Sequence, residues 1–156
     1  MSRAITELVR QHRECDEHLT LCEAALHKGD VAAAGRSFLR FSGALDQHFA
    51  LEEERLFPAF EKATGMSSGP TVVMRGEHTE IRALRDEALA AIEANQAENA
   101  LAAIDTLNVL IQQHNVKEEN ILYPMCGERV PELASVLGLG GGGCGGGCSC
   151  GSRPAS

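Results

Sequence analysis

The sequence predicts an all-α protein: an up-down-up-down antiparallel four-helix bundle followed by a flexible Gly/Cys-rich tail. Three observations predict it. Apolar residues recur with a period near 3.6 through most of the chain. Strand-like alternation is absent, and Ala, Leu, Glu and Arg dominate. Helix-breaking residues gather at a few short connections, which make successive helices antiparallel neighbours.

The first helix is expected from about Ser2 to Lys28, ending at Gly29. Asp30 supplies a side-chain acceptor to the first turn of the second helix, which runs to about Thr64. The segment GMSSGP, residues 65–70, is a loop. The third helix is expected from about Thr71 to Ala94. A polar turn near residues 95–99 leads into the fourth, which runs to about Cys126. A weak helical turn is expected beyond Pro131. Nine of the sixteen glycines lie from Gly138 onward, so this end is expected to be flexible and to carry no core. The expected division is a bundle over residues 1–130 and a tail over 131–156.

Composition narrows the function. The 156 residues suit one domain, and 44% apolar with 23% charged residues allows a real core. A net charge of −8 argues against a nucleic-acid partner and against docking on an anionic membrane. No apolar run approaches the roughly 18 residues of a membrane span. The N-terminal segment is charged from Arg3 and lacks the apolar stretch of a secretory signal, so the cytoplasm is the expected compartment.

An internal repeat carries the chemistry. HFALEEERLFP (His48 to Pro58) and HNVKEENILYP (His114 to Pro124) both obey H-x3-E-E-x2-L-[FY]-P and start 66 residues apart. Residues four apart share a helix face, so His48 projects with Glu52 and His114 with Glu118. Glu53 and Glu119 are rotated about 140° from their histidines and are expected to point away. Around His48 the same face holds Phe38, Phe41, Leu45 and Leu56. Around His114 it holds Ile104, Leu107, Leu110, Ile111, Ile121 and Met125. Both His–Glu pairs therefore sit in apolar stripes that face a core. Surface i,i+4 pairs are common, but a buried ionised carboxylate is costly unless it is paired or binds a metal.

The other two helices each add a histidine. His12 centres a stripe of Ile5, Leu8, Cys15, Leu19, Cys22 and Leu26, and His78 one of Met74, Ile81, Ala88, Leu89 and Ile92. A lone histidine on an apolar face is more often a satisfied core residue than a ligand. One on each of four helices, two with a Glu partner, reverses those odds. His18 leaves the first stripe by about 120°. His27 ends its helix and suits the surface.

Mixed N/O ligation suits Fe, Mn or Zn. Six donors exceed the four of a usual single zinc site, and a dinuclear iron centre fits them better. No Glu stands three residues before any His, which disfavours the ferritin-like di-iron bundles, and H-E-x-x-H is absent.

Cys15 and Cys22 lie about 10 Å apart along one helix, too far for a mutual disulfide. Cys15 is expected as a small buried hydrophobe, with a thiol near the metal as the functional alternative. Tyr123 shares an aromatic slot with Phe57 and is expected to pack. Cys144, Cys148 and Cys150 form C-x3-C-x-C, a weak metal or redox signal set against an unconstrained terminus.

On His12, the two repeat segments and VMRGEH ending at His78, the sequence resembles the bacterial hemerythrin-like, or HHE cation-binding, domains over roughly residues 8–127. The resemblance implies two non-haem iron ions bridged by Glu52 and Glu118, with His12, His48, His78 and His114 as terminal ligands. Zn or Mn are possible substitutes. Glu119 is the alternative to Glu118. Oxygen-carrying hemerythrins have a further His one turn before the third-helix histidine, where this chain has Met74. Asp16, one turn after His12, is expected to face inward as a substitute ligand or hydrogen-bond partner. The implied function is binding or sensing of O2 or NO, or response to oxidative stress, with a small diatomic ligand or peroxide as partner. A di-iron peroxidase- or oxidase-like enzyme, or iron storage and transfer, are the alternatives. No organic-substrate motif is present, so a gas- or metal-binding protein is preferred to a dedicated enzyme.

Overall fold

The computed structural model describes residues 2–139, and among these there are helices and no strands. The first helix, α1, is Arg3–His27, with the Ser2 side chain accepting from the Ile5 amide. Two backbone bonds close its C-terminus, Gly29 to Leu26 and Asp30 to Ala25, with Gly29 at φ 78°. Glycine adopts that left-handed conformation without steric cost. Asp30 then caps α2, Val31–Leu51, by accepting from the Ala33 amide, as its position predicts.

The second long helix continues through a π turn, Glu52–Leu56, into α3, Phe57–Thr64. After the loop come α4, Pro70–Glu93, and α5, Ala97–Lys117. Asn95, at φ 60°, closes the connection between them by the same bond pattern as Gly29. A second π turn, Glu118–Leu122, leads into α6, Tyr123–Arg129, and a short α7 follows, Leu133–Val136.

Each π turn ends two residues before a proline, Pro58 or Pro124. Proline cannot donate to the carbonyl four residues back, and its ring presses on that carbonyl. One extra residue in the turn relieves the clash. Phe57 and Tyr123 donate instead to Glu52 and Glu118, five residues back. Everything beyond the turn is thereby rotated back by about one residue, or roughly 100°. That corrects one sequence expectation. Ile121 does not face the core but is 55% exposed, and Leu122 and Tyr123 take the inner face.

The interior has two apolar blocks with a polar layer between them. One holds Leu19, Cys22, Leu26, Phe38, Phe41, Leu45, Phe49, Ile81, Ile104, Leu107 and Ile111. The other holds Ile5, Leu8, Leu56, Phe57, Phe60, Met74, Leu122, Tyr123 and Cys126. Along every long helix the residues between the blocks are the predicted histidines and glutamates. The second block is closed by Val130, Leu133 and Leu137, so packed chain continues beyond residue 130. Cys144, Cys148 and Cys150 lie outside the described residues. No described helix is long and apolar enough to cross a membrane.

Candidate metal centre

All six residues expected at the site meet in the polar layer, and all are buried: His12, His48, Glu52, His78, His114 and Glu118. Their donor atoms fall into two groups of four, each within 4.8 Å of one another. The first is His12, His48, Glu52 and Glu118. The second is Glu52, His78, His114 and Glu118. Both carboxylates belong to both groups, one oxygen facing each. Glu118 Oε1 lies 3.0 Å from His12 Nε2 while its Oε2 lies 3.1 Å from His114 Nε2. Glu52 Oε2 lies 3.4 Å from His48 Nε2 and its Oε1 3.1 Å from His78 Nε2.

The outer nitrogen of each imidazole is held by a residue of another helix. Gln11 of α1 accepts from His48 Nδ1 of α2 at 2.7 Å. Glu53, in the first π turn, accepts from His78 of α4 at 2.6 Å. Glu77 of α4 accepts from His114 of α5 at 2.8 Å. Glu119, in the second π turn, accepts from His12 of α1 at 2.7 Å. The four bonds form a closed ring around the bundle. Glu53 and Glu119 do leave the faces of His48 and His114, as expected. They do not reach solvent freely, because each lands on a histidine across the helix seam. Arg82 donates to Glu53 at 2.8 Å, and Lys117 pairs with Glu77. Burial works against the Glu53 charge, but Arg82 and His78 outweigh it and hold the carboxyl below its ordinary value.

This ring fixes the protons. A carboxylate or amide oxygen only accepts, so each Nδ1 carries a hydrogen, and a ring that binds a metal as the neutral imidazole does so through its inward Nε2 lone pair. Those lone pairs face carboxylate oxygens. Four of the buried atoms, Glu52 Oε1, His78 Nε2, His114 Nε2 and Glu118 Oε2, have no hydrogen-bond partner. They are the four donor atoms of the second group. As bare acceptors facing one another these atoms would be costly to bury, and a proton or a cation among them offsets that cost; only a cation satisfies all four at once. Donor chemistry, burial and outer hydrogen bonds therefore all fit metal ions. Replacing Gln11 with Ala should weaken metal binding roughly 10- to 100-fold at unchanged fold, as removal of such outer partners does. Competition against a chelator checks this. Unchanged affinity would mean that the ring does not orient the ligands.

Without a metal, protons do part of the work. Burial alone would lower His48, but the Glu52 charge and the hydrogen bonds that protonated His48 donates to Glu118 and Glu52 raise it to about 10. His114, likewise opposed by burial, is raised to about 9 by Glu118 and Glu52. Glu118 is held well below its ordinary value because its bonds to His114, His12 and His48 outweigh burial.

Two expectations need correction. Asp16 does not join the donors. It is half-buried and accepts from Gln112 at 2.9 Å, a contact across the α1–α5 seam. Tyr123 does more than pack. Its buried hydroxyl donates to Glu52 Oε2 at 2.5 Å and lies 2.9 Å from Glu118 Oε1. The π turn causes this. Nine residues after His114, Tyr123 would point about 180° away in a regular α-helix, and the extra residue brings it to within about 80°. Pro124 is the sequence signal for that turn.

Cys15 is a buried free thiol, pushed up to about 12 by burial and the nearby Glu14 and Asp16 charges. It stays protonated at neutral pH. It lines, with Leu45, Phe49, Ile81 and Ile111, a cavity of about 10 Å³ that reaches His12, His48 and His114. His27 is exposed at the end of α1, as expected, and His18 is half-buried beside Glu14.

The hemerythrin HHE cation-binding domain matches residues 3–126. No curated protein and no solved structure gave a match. Paired His–Glu repeats, two four-donor groups sharing both carboxylates, and a match over most of the chain agree: this chain belongs to the hemerythrin HHE cation-binding family.

Proposed function

We propose that the protein holds two iron ions and uses them to bind or sense a small diatomic molecule, O2 or NO, or to respond to peroxide. Glu52 and Glu118, shared by both donor groups, would help to hold both ions. His12 and His48 would complete one ligand set, and His78 and His114 the other. One observation carries the reading: two four-donor groups share both carboxylates through opposite oxygens, with every imidazole anchored through its outer nitrogen. Nitrogen and carboxylate donors of this kind suit iron, with Zn and Mn as competitors.

A pair of iron ions supplies the electrons that O2, NO or peroxide takes up. The chain supplies the rest. Its apolar blocks exclude bulk water from the layer. The ring of outer hydrogen bonds keeps each Nε2 available as a donor. The neighbouring cavity of about 10 Å³ has room for a single water-sized molecule, which favours a diatomic ligand or peroxide over an organic substrate. The same confined interior speaks against bulk iron storage.

The test is optical. The purified chain is loaded anaerobically with Fe(II), its iron counted, and O2 admitted. About two irons per chain and a charge-transfer band that reverses on deoxygenation support gas binding. A band that forms and persists supports peroxide or oxidative-stress chemistry. A chain that takes up no iron removes the iron reading.

A further inference from the structure

The two halves of the internal repeat differ at one place beside the metal layer. Phe57 and Tyr123 occupy the same repeat position, each first after its π turn. Phe57 lies against His78 and Tyr123 against His12, both with ring centroids 5.6 Å apart. The two aromatic rings are thus equivalent in placement, and only one carries a hydroxyl.

That hydroxyl meets all four donors of one group. It lies 2.5 Å from Glu52 Oε2, 2.9 Å from Glu118 Oε1, 3.1 Å from His12 Nε2 and 3.3 Å from His48 Nε2. Hydrogen bonding accounts poorly for this set. A phenol has one hydrogen to give. With Nδ1 of His12 donating to Glu119 and Nδ1 of His48 to Gln11, rings in the neutral form that binds a metal offer only lone pairs at Nε2. Four lone-pair atoms around one O–H leave three close approaches without a hydrogen between them. Metal coordination accounts for all four. Ligands about 2.1 Å from one ion and at right angles to each other are roughly 3 Å apart. The spacing of His12 Nε2 from Glu118 Oε1, 3.0 Å, fits the same pattern. The other group has Phe57 in the matching place and its donors have no hydroxyl neighbour.

We propose that Tyr123 Oη is a fifth ligand of the ion held by His12, His48, Glu52 and Glu118, and that the two metal positions are therefore chemically unequal. This rests on the iron reading above. When a ferric ion binds, the Tyr123 O–H bond breaks, its oxygen bonds to the ion and the proton leaves to solvent. The first position then has two nitrogens and three oxygens from the protein. The second has two nitrogens and two oxygens, and it is the position left to take a small external ligand.

The experiment uses the full chain loaded with two Fe(III) ions. A tyrosinate-to-ferric charge-transfer band in the visible, with tyrosinate ring modes enhanced in its resonance Raman spectrum, is the expected signature. Tyr123 is the single tyrosine of the chain, so the assignment is unambiguous. Tyr123→Phe should abolish the band and weaken one of the two ions at least tenfold in chelator competition. His48→Ala should lose the band with one ion, and His78→Ala should keep the band with one ion. Two bound ferric ions without tyrosinate modes would overturn the tyrosine ligand and leave the iron reading intact. Failure to bind metal at all would remove both. A Tyr123→Phe chain that binds both ions as tightly as the unaltered chain would also overturn the proposal, whatever its colour.

Discussion

Glu118→Ala should leave the chain unable to hold either ion. Most ligand substitutions remove a donor from one ion, but Glu118 faces His12 and His48 with one oxygen and His114 with the other. Metal analysis after anaerobic loading should fall from about two irons to near none. The metal-free variant should also be less stable near pH 6. His48 and His114 lose the charge that keeps them protonated inside the bundle. Removing one partner of a buried ion pair typically costs about 3–5 kcal/mol. Here the imidazoles can shed their protons, which favours the lower end. Urea unfolding at pH 6 measures the loss, and Glu118→Gln separates charge from volume. Glu128→Ala, an exposed carboxylate on α6, is the control and should change neither readout. Iron retained by Glu118→Ala would show that the shared-carboxylate assignment is wrong.

Why these six residues were legible in the sequence, and their neighbours were not, comes down to range. His48 with Glu52 and His114 with Glu118 are i,i+4 pairs, set by helix geometry within one turn. Their placement in apolar stripes is likewise local. The helix ends at Gly29 and Asp30 follow from caps and φ preferences. Two kinds of feature escaped. The first is the π turn. A period of about 100° per residue loses register within the π turns, which is why Ile121 is expected inside and Tyr123 is expected only to pack. Pro58 and Pro124, inside otherwise helical runs, were the local warning. The second is pairing between helices. Gln11 and Glu77 stand one residue before His12 and His78, yet they serve His48 and His114 on neighbouring helices. No periodicity within one helix encodes that choice. It depends on how the seams align after folding.

Stripping the metal should destabilise the protein substantially, and more so as pH rises. An ion that binds only the folded chain stabilises it by about 4 kcal/mol at a free concentration of roughly 1,000 times Kd. In a domain of this size that is roughly 10 °C or more in Tm. The pH dependence follows from the sign of the histidine shifts. The folded values of His48 and His114, about 10 and about 9, lie above the ordinary 6.5. Such groups contribute stability that is fully present below the unfolded value and is lost as pH rises through the folded ones. The metal-free chain should therefore lose Tm steadily between about pH 6.5 and pH 10. The metal-loaded chain should not follow it over that range, because its imidazoles bind the ion as neutral rings and have no such proton to lose. Metal uptake displaces those protons, so affinity should climb with pH and uptake in weak buffer should release acid. Thermal unfolding of stripped and loaded protein at pH 6, 7.5 and 9 tests the whole argument. A gap between the two curves that narrows toward pH 9 would mean that His48 and His114 are neutral in the metal-free bundle. The unpartnered lone pairs of the layer would then go uncompensated until the ions arrive.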